Sequence, residues 1–375
     1  MKEIALYIHI PFCKQKCFYC DFLSFGSEES KIDKYVDALC DEILMYKNYR
    51  FKSIFIGGGT PTYLSYNQLN RLKGAMNQIN KSENVEFTVE GNPGTFTEEK
   101  LKVLKDMGVN RLSIGLQAWQ NELLKRIGRI HGIKDFVDSY NMARKLGFEN
   151  INVDLMFGLP GQTMEMWKET LEEVTKLNPE HISAYGLIIE EGTKFFSMYE
   201  NEELDLPDEE LERDMYRYCL DFLDKKAYRQ YEISNFSKKN KECKHNLTYW
   251  ELGEYVGCGL GAHGYLENQR IENVSSMVKY IELIMNKVKP IECKQISSKE
   301  DVIEEFMFLG LRKINGIGKK EFKNKFNMDI KSIYGEIIDK YKNQGFIEEE
   351  GDRIFLSKKG IEFSNIVMSD FLIER

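Results

Sequence analysis

The first half of the chain carries a beat that few folds accept. Six β-rich apolar runs, Ile4–Ile10, Ser53–Ile56, Val85–Glu90, Arg111–Leu116, Ile151–Met156 and His181–Ile188, alternate with stretches of helical spacing, Ile32–Tyr46, Gln68–Ile79, Glu98–Met107, Ile133–Leu146 and Met164–Leu177. A strand that leads through a helix to the next strand builds right-handed βαβ units and a parallel sheet. Six units are too few to close an eight-fold barrel, so a partial barrel and an open doubly wound sheet both satisfy the pattern. Gly, Pro or polar residues close many of the runs: Gly57-Gly58-Gly59-Thr60-Pro61, Glu90-Gly91-Asn92-Pro93, Gln117 and Gly158-Leu159-Pro160-Gly161. In α/β folds these strand ends are where ligands and chemistry sit.

Beyond the sixth run the pattern loosens. Residues 191–297 hold an acidic helix near Asp208–Lys226, the string Tyr231-Glu232-Ile233, a glycine-rich stretch and a helix near Ser276–Asn286. From Ser298 onward come short helices and one hairpin through Arg353–Leu356, an α+β pattern that resembles a winged helix. The expected organisation is a core over 1–190, an extension over 191–297 and a C-terminal domain over 298–375. The tail carries 14 basic and 15 acidic residues, and the whole chain 52 Lys plus Arg against 60 Asp plus Glu, a net charge of −8. That balance argues against a nucleic-acid partner, which needs a basic face. No run approaches the ~18 uncharged apolar residues of a spanning helix, and the first residues lack a signal-peptide core, so a cytoplasmic location is expected.

Eight cysteines are present, and three crowd into Cys13-Lys14-Gln15-Lys16-Cys17-Phe18-Tyr19-Cys20, a C-x3-C-x2-C string; Cys40, Cys219, Cys243, Cys258 and Cys293 are scattered. Three thiolates on one loop reach three corners of a cubane iron–sulfur cluster, which ordinarily takes four. The missing fourth thiolate leaves one iron open to a ligand. The competing reading is a structural zinc on the same three cysteines with His9, although zinc ligands usually come as two separated pairs. Tyr7, Phe12, Phe18, Tyr19, Phe22 and Phe25 surround the loop and could keep water from it.

The trio behind a first strand resembles the radical S-adenosylmethionine superfamily. The longer string Tyr7-Ile8-His9-Ile10-Pro11-Phe12-Cys13, with Tyr19-Cys20-Asp21-Phe22, is similar to the branch of oxygen-independent coproporphyrinogen III oxidases and HemW-type heme chaperones. The resemblance implies a partial (β/α)6 barrel with a winged-helix-like tail, and a [4Fe–4S] cluster on Cys13, Cys17 and Cys20. It implies S-adenosylmethionine at the open iron, contacted by Tyr7, Tyr19, Gly58, Gly59, Thr60 and Glu90. Gln117, Arg129 and Asp154 match residues that hold a second such molecule in the oxidase. Read without it, the triple glycine is a tight turn and Asp154 a buried carboxylate in need of an ion-pair partner such as Arg129.

His245-Asn246-Leu247-Thr248-Tyr249-Trp250 resembles the H-N-x-x-Y-W motif of the heme chaperones, which implies heme contact at His245; on its own the residue reads as a capping or surface histidine. Cys243 and Cys258 flank the motif and read as buried small hydrophobes. Gly259-Leu260-Gly261-Ala262-His263-Gly264 matches G-x-G-x-x-G formally but opens no helix, so it is not a dinucleotide fingerprint. The oxidases carry a further cysteine where this chain has Phe22, and a long extension where twelve residues precede Cys13. The branch therefore implies a heme carrier that serves acceptor hemoproteins. The alternative is an enzyme that decarboxylates coproporphyrinogen III.

Overall fold

The computed structural model describes residues 1–26 and 29–373. The six expected runs form strands β1 (Glu3–Ile10), β2 (Arg50–Gly58), β3 (Asn80–Gly91), β4 (Arg111–Gln117), β5 (Ile151–Phe157) and β6 (His181–Gly186). Each pairs in parallel with the next, so their order in space is their order in sequence. A doubly wound sheet reverses its order at a switch point; an unreversed order is that of a barrel wall. The structure thus selects the partial barrel.

Helices Glu29–Leu44, Tyr66–Met76, Glu98–Met107, Ile133–Lys145 and Met164–Lys176 link the strands. Local chemistry sets their ends. Ser65 and Gln68 close a capping box, Thr97 and Thr163 accept the N3 amide of their helices, and Gly108 ends a helix in the left-handed region at φ +97°. Alternation along the strands then sorts the side chains. Leu6, Ile8, Ile54, Ile56, Phe87 and Val89 join the apolar core beneath the helices. Their neighbours Ser53, Glu86, Thr88, Arg111, Asn152 and His181 are buried polar residues that fill the barrel interior.

The sheet continues on both sides. Strands β7 (Arg229–Glu232) and β8 (Asn235–Ser237) lie antiparallel beyond β6, while β9 (Tyr255–Cys258) runs parallel beside β1. Three antiparallel strands, β10 (His263–Leu266), β11 (Gln269–Asn273) and β12 (Ile291–Ile296), complete twelve. The glycine-rich turn after β9 holds no nucleotide-binding helix. Instead Glu42, fully buried, accepts from Gly259 N at 2.7 Å, Asn273 Nδ2 at 2.8 Å and Tyr280 OH at 2.5 Å, tying the first helix to this edge.

The C-terminal segment has its own apolar cluster around Phe306, Phe322, Tyr334 and Ile354. Helices Lys299–Leu311, Lys319–Phe326 and Lys331–Asn343 pack with a three-stranded sheet of β13 (Ile317–Gly318), β14 (Ile347–Glu350) and β15 (Arg353–Leu356), the last two forming the expected hairpin. Lys319, Lys331 and Lys342 all turn to Glu349, whose carboxyl they pull down to about 2. Among the described residues, no helix is long and apolar enough to cross a membrane.

Candidate functional site

The cysteine loop leaves the end of β1 and is pinned on several sides. Phe12 and Cys13 pair with Phe25 and Gly26, Phe18 N donates to Ile127 O at 3.1 Å, and Phe195 N donates to Phe18 O at 2.9 Å. Gln15 Nε2 donates to Gly128 O at 2.9 Å. Cys13, Cys17 and Cys20 are free thiols, Cys13 buried and the other two partly so. Burial pushes the Cys13 thiol up and that of Cys20 to about 11, so thiolates there need a bound cation to hold them. His9 is no fourth zinc ligand: its Nδ1 lies 2.9 Å from Tyr7 OH and its Nε2 2.8 Å from Leu23 O. Among the described residues, no three His, Cys, Asp or Glu side chains converge on a point as a single metal ion requires. A cubane spreads its thiolates farther apart than one zinc does, and a loop offering three sulfurs fits it.

The triple glycine packs against this loop because nothing larger fits. A Cβ on Gly59 would stand 2.7 Å from Phe12 O and 2.9 Å from Ile10 O, and one on Gly58, at φ +106°, 2.5 Å from the His9 ring. Gly59 N and Thr60 N each donate at 2.8 Å, to Ile10 O and Phe12 O. Thr60 Oγ1 then sits 3.5 Å from Cys13 Sγ.

Inside the mouth, Glu90 accepts from Gly58 N at 3.2 Å. Burial, and then the neighbouring Asp154 carboxylate, push its pKa up to about 8. Arg111 acts on it in the opposite sense without offsetting the burial, so the carboxyl could take a further positive charge. Tyr7 lies nearby, its phenol held well above the ordinary range by burial and by Glu90. Gln117 ends β4 in the left-handed region at φ +74°, a conformation that costs energy outside glycine and clusters at functional sites.

Arg129 does not pair with Asp154. Its Nη1 donates to Asn92 Oδ1 at 2.6 Å and its Nη2 to Tyr19 OH at 2.7 Å. Asp154 instead accepts from Ser113 Oγ at 2.9 Å and Asn152 Nδ2 at 2.7 Å. The ion-pair alternative for these two residues therefore falls. Asn92, to which the sequence reading gave no role, bridges the site: its Nδ2 donates to Thr60 Oγ1 at 2.8 Å while its Oδ1 holds Arg129. Its place in Glu90-Gly91-Asn92-Pro93, two residues after Glu90 at a strand end, was the available signal.

His245 lies apart from this mouth. It is neither a surface nor a capping residue: only 1% exposed, it closes the opposite end of the barrel. Its Nδ1 is 3.0 Å from Ser53 Oγ and its Nε2 2.8 Å from Tyr249 OH, and burial drops its pKa to about 3. Glu86 on β3 accepts from Lys244 N and His245 N, each at 3.0 Å, which seats the helix Lys244–Trp250 as a floor. Both ring nitrogens of His245, the residue expected to contact heme, are thus engaged in this conformation.

The floor is fastened to the C-terminal domain. Ile233 N donates to Arg312 O at 3.2 Å and Ile314 N to Tyr231 O at 3.0 Å, forming a bridge between the barrel edge and that domain. Tyr231 OH accepts from Cys243 N at 3.3 Å, at the start of the floor helix. At the helix end, the Arg312 guanidinium lies 4.3 Å above the Trp250 ring and 3.4 Å from the fully buried Glu232 carboxylate.

Comparison with known proteins agrees with this architecture. The Radical SAM superfamily pattern matches residues 7–174, and the HemN C-terminal domain matches residues 297–363. A solved structure of coproporphyrinogen III oxidase (HemN) from Escherichia coli superposes with a TM-score of 0.87 at 22% identity, covering 99% of this chain and 90% of that one, which establishes the shared fold. The heme chaperone HemW of Bacillus subtilis is 42% identical over 99% of both chains. That of Escherichia coli is 33% identical over 100% of this chain and 99% of its own. With identity of this level sustained from end to end, the chain belongs to the HemW family of radical SAM proteins.

Proposed function

We propose that this protein is a heme chaperone that binds a [4Fe–4S] cluster and S-adenosylmethionine and delivers heme to acceptor hemoproteins. The observation that carries the reading is the likeness to the Bacillus subtilis chaperone, 42% over 99% of both chains. The donor set of the barrel mouth fits the cofactors. Cys13, Cys17 and Cys20 would hold the cluster, which when bound supplies an electron-transfer centre with one iron open to S-adenosylmethionine. The glycine turn lets the Gly58 and Gly59 backbone approach that ligand, and Thr60 joins the turn to Cys13. Glu90 offers a carboxylate to its positive charge. Tyr7 and Tyr19 wall the site, and Gln117, Arg129 and Asp154 line its far side, where a second molecule would lie. Heme ligation through His245 requires the floor helix to swing away from Ser53 and Glu86 first. Phe22, 59% exposed beside the loop, stands where the oxidase branch has a further cysteine and favours the carrier.

One anaerobic, reconstituted preparation tests this. Heme addition should give a Soret band at about one heme per chain, with no protoporphyrinogen IX formed from coproporphyrinogen III. Turnover of coproporphyrinogen III without heme binding would reverse the assignment to the oxidase.

A further inference from the structure

A chain of buried hydrogen bonds crosses the barrel interior from Asp154 to the floor helix. Asn152 Nδ2 on β5 donates to Asp154 at 2.7 Å, and Asn152 Oδ1 lies 2.6 Å from His181 Nδ1 on β6. His181 Nε2 lies 2.8 Å from Tyr231 OH on β7, which accepts from Cys243 N at the start of the floor helix. Asn152 and His181 are both buried. The two ends fix the direction of every link. A backbone N–H only donates and a carboxylate only accepts, so the Asn152 amide turns its NH2 to Asp154 and its oxygen to His181. Ser183 Oγ donates to the same oxygen at 3.2 Å. Burial, and then the Arg111 charge, hold the His181 pKa well below the ordinary range, so the ring is neutral. Its one proton sits on Nδ1, and the lone pair on Nε2 takes the Tyr231 hydroxyl proton, which burial keeps in place. Every donor therefore points the same way, from Cys243 N–H to Asp154, and links so aligned strengthen one another.

Asp154 sets this order. Its two oxygens take Asn152 Nδ2–H and Ser113 Oγ–H. Once they are withdrawn, the Asn152 amide can turn over, giving its oxygen to the Ser113 hydroxyl 2.7 Å away and its NH2 to His181. The ring then carries its proton on Nε2, and the Tyr231 hydroxyl loses its acceptor. A buried donor left open is costly, so the strain falls on the phenol that holds Cys243 N. We propose that Asp154 latches the floor helix through this chain, with Asn152, His181 and Tyr231 as positioning residues. A cation or hydrogen-bond donor that draws on the Asp154 carboxylate from the mouth then loosens the helix that covers His245. The consequence for heme rests on the carrier reading above; the latch itself does not.

The test is a double-variant cycle on cluster-reconstituted, full-length protein. Amide exchange over residues 243–250 reads the floor helix, and stopped-flow Soret absorbance reads heme uptake. Asp154→Ala should speed both about tenfold, the scale of one buried hydrogen bond. Tyr231→Phe removes a single oxygen and should do the same. The variant carrying both changes should be no faster than Tyr231→Phe alone, since one chain is cut twice. His181→Phe cuts the middle link and must show the same absence of addition, which also serves where Tyr231→Phe misfolds. Effects that add, a floor unmoved by Asp154→Ala, or exchange that rises as much in the tail helix Lys331–Asn343 overturn the latch. Coupled exchange in a protein that takes up no heme upholds the latch and removes the heme reading instead.

Discussion

Replacing Glu90 with Gln should stabilise the cofactor-free protein while weakening S-adenosylmethionine binding. Glu90 has one backbone donor, Gly58 N, and a neighbouring carboxylate, Asp154, and its pKa rises from 4.5 to about 8. A carboxyl with a raised folded pKa favours folding while protonated. Its contribution is complete below the unfolded pKa and is lost as pH rises through the folded one. Linkage puts the cost to the wild type at about 1 kcal/mol at pH 5, about 3 kcal/mol at pH 7 and about 4 kcal/mol at pH 8, upper bounds because water in the barrel mouth screens the charge. Glutamine keeps an acceptor for Gly58 N and cannot ionise. The variant should therefore exceed the wild type in urea midpoint by a margin that widens steadily from pH 5 to pH 8 at constant m. Calorimetry in two buffers of different ionisation heat should show the wild type, and not the variant, releasing a proton at pH 7 when S-adenosylmethionine binds. A stability margin that stays flat with pH, or no proton release, would refute this account of Glu90.

Other perturbations follow from the same contacts. Gly59→Ala drives a Cβ to 2.7 Å from the Phe12 carbonyl, so it should cost about 1–3 kcal/mol and lower iron retained after reconstitution, read by urea melts and iron assay. Arg312→Ala strips the buried Glu232 of its cation, so the loss, about 1–3 kcal/mol, should be larger at pH 8 than at pH 5, where Glu232 can protonate. The same variant should raise amide exchange over residues 244–250 and speed heme uptake, measured by stopped-flow Soret absorbance. His245→Ala should abolish the heme spectrum without changing iron–sulfur absorbance; heme binding that survives the change would place the ligand elsewhere.

The sequence exposed the barrel wall because its signals are local: alternation marks strands, and Ser65, Thr97, Thr163 and Gly108 mark helix ends. It could not fix strand order, since doubly wound and barrel sheets share that alternation until the pairing is seen. The trio of cysteines and the triple glycine were legible because each is contiguous. Asn92 was not, because its role depends on Arg129 arriving from another loop. His245 misled for the same reason. A histidine in a polar string reads as exposed, whereas Ser53 and Glu86, far away in sequence, join Tyr249 of its own motif in burying it.

The bridge at Tyr231 and Arg312 also makes the barrel and the tail mechanically continuous. One touches the first residue boundary of the helix beneath the lumen, the other covers its last tryptophan. A protein that gripped the outer surface of residues 298–373 and tilted them would pull on both anchor points together. Displacement of the tail and displacement of the floor helix would therefore go together through that short bridge.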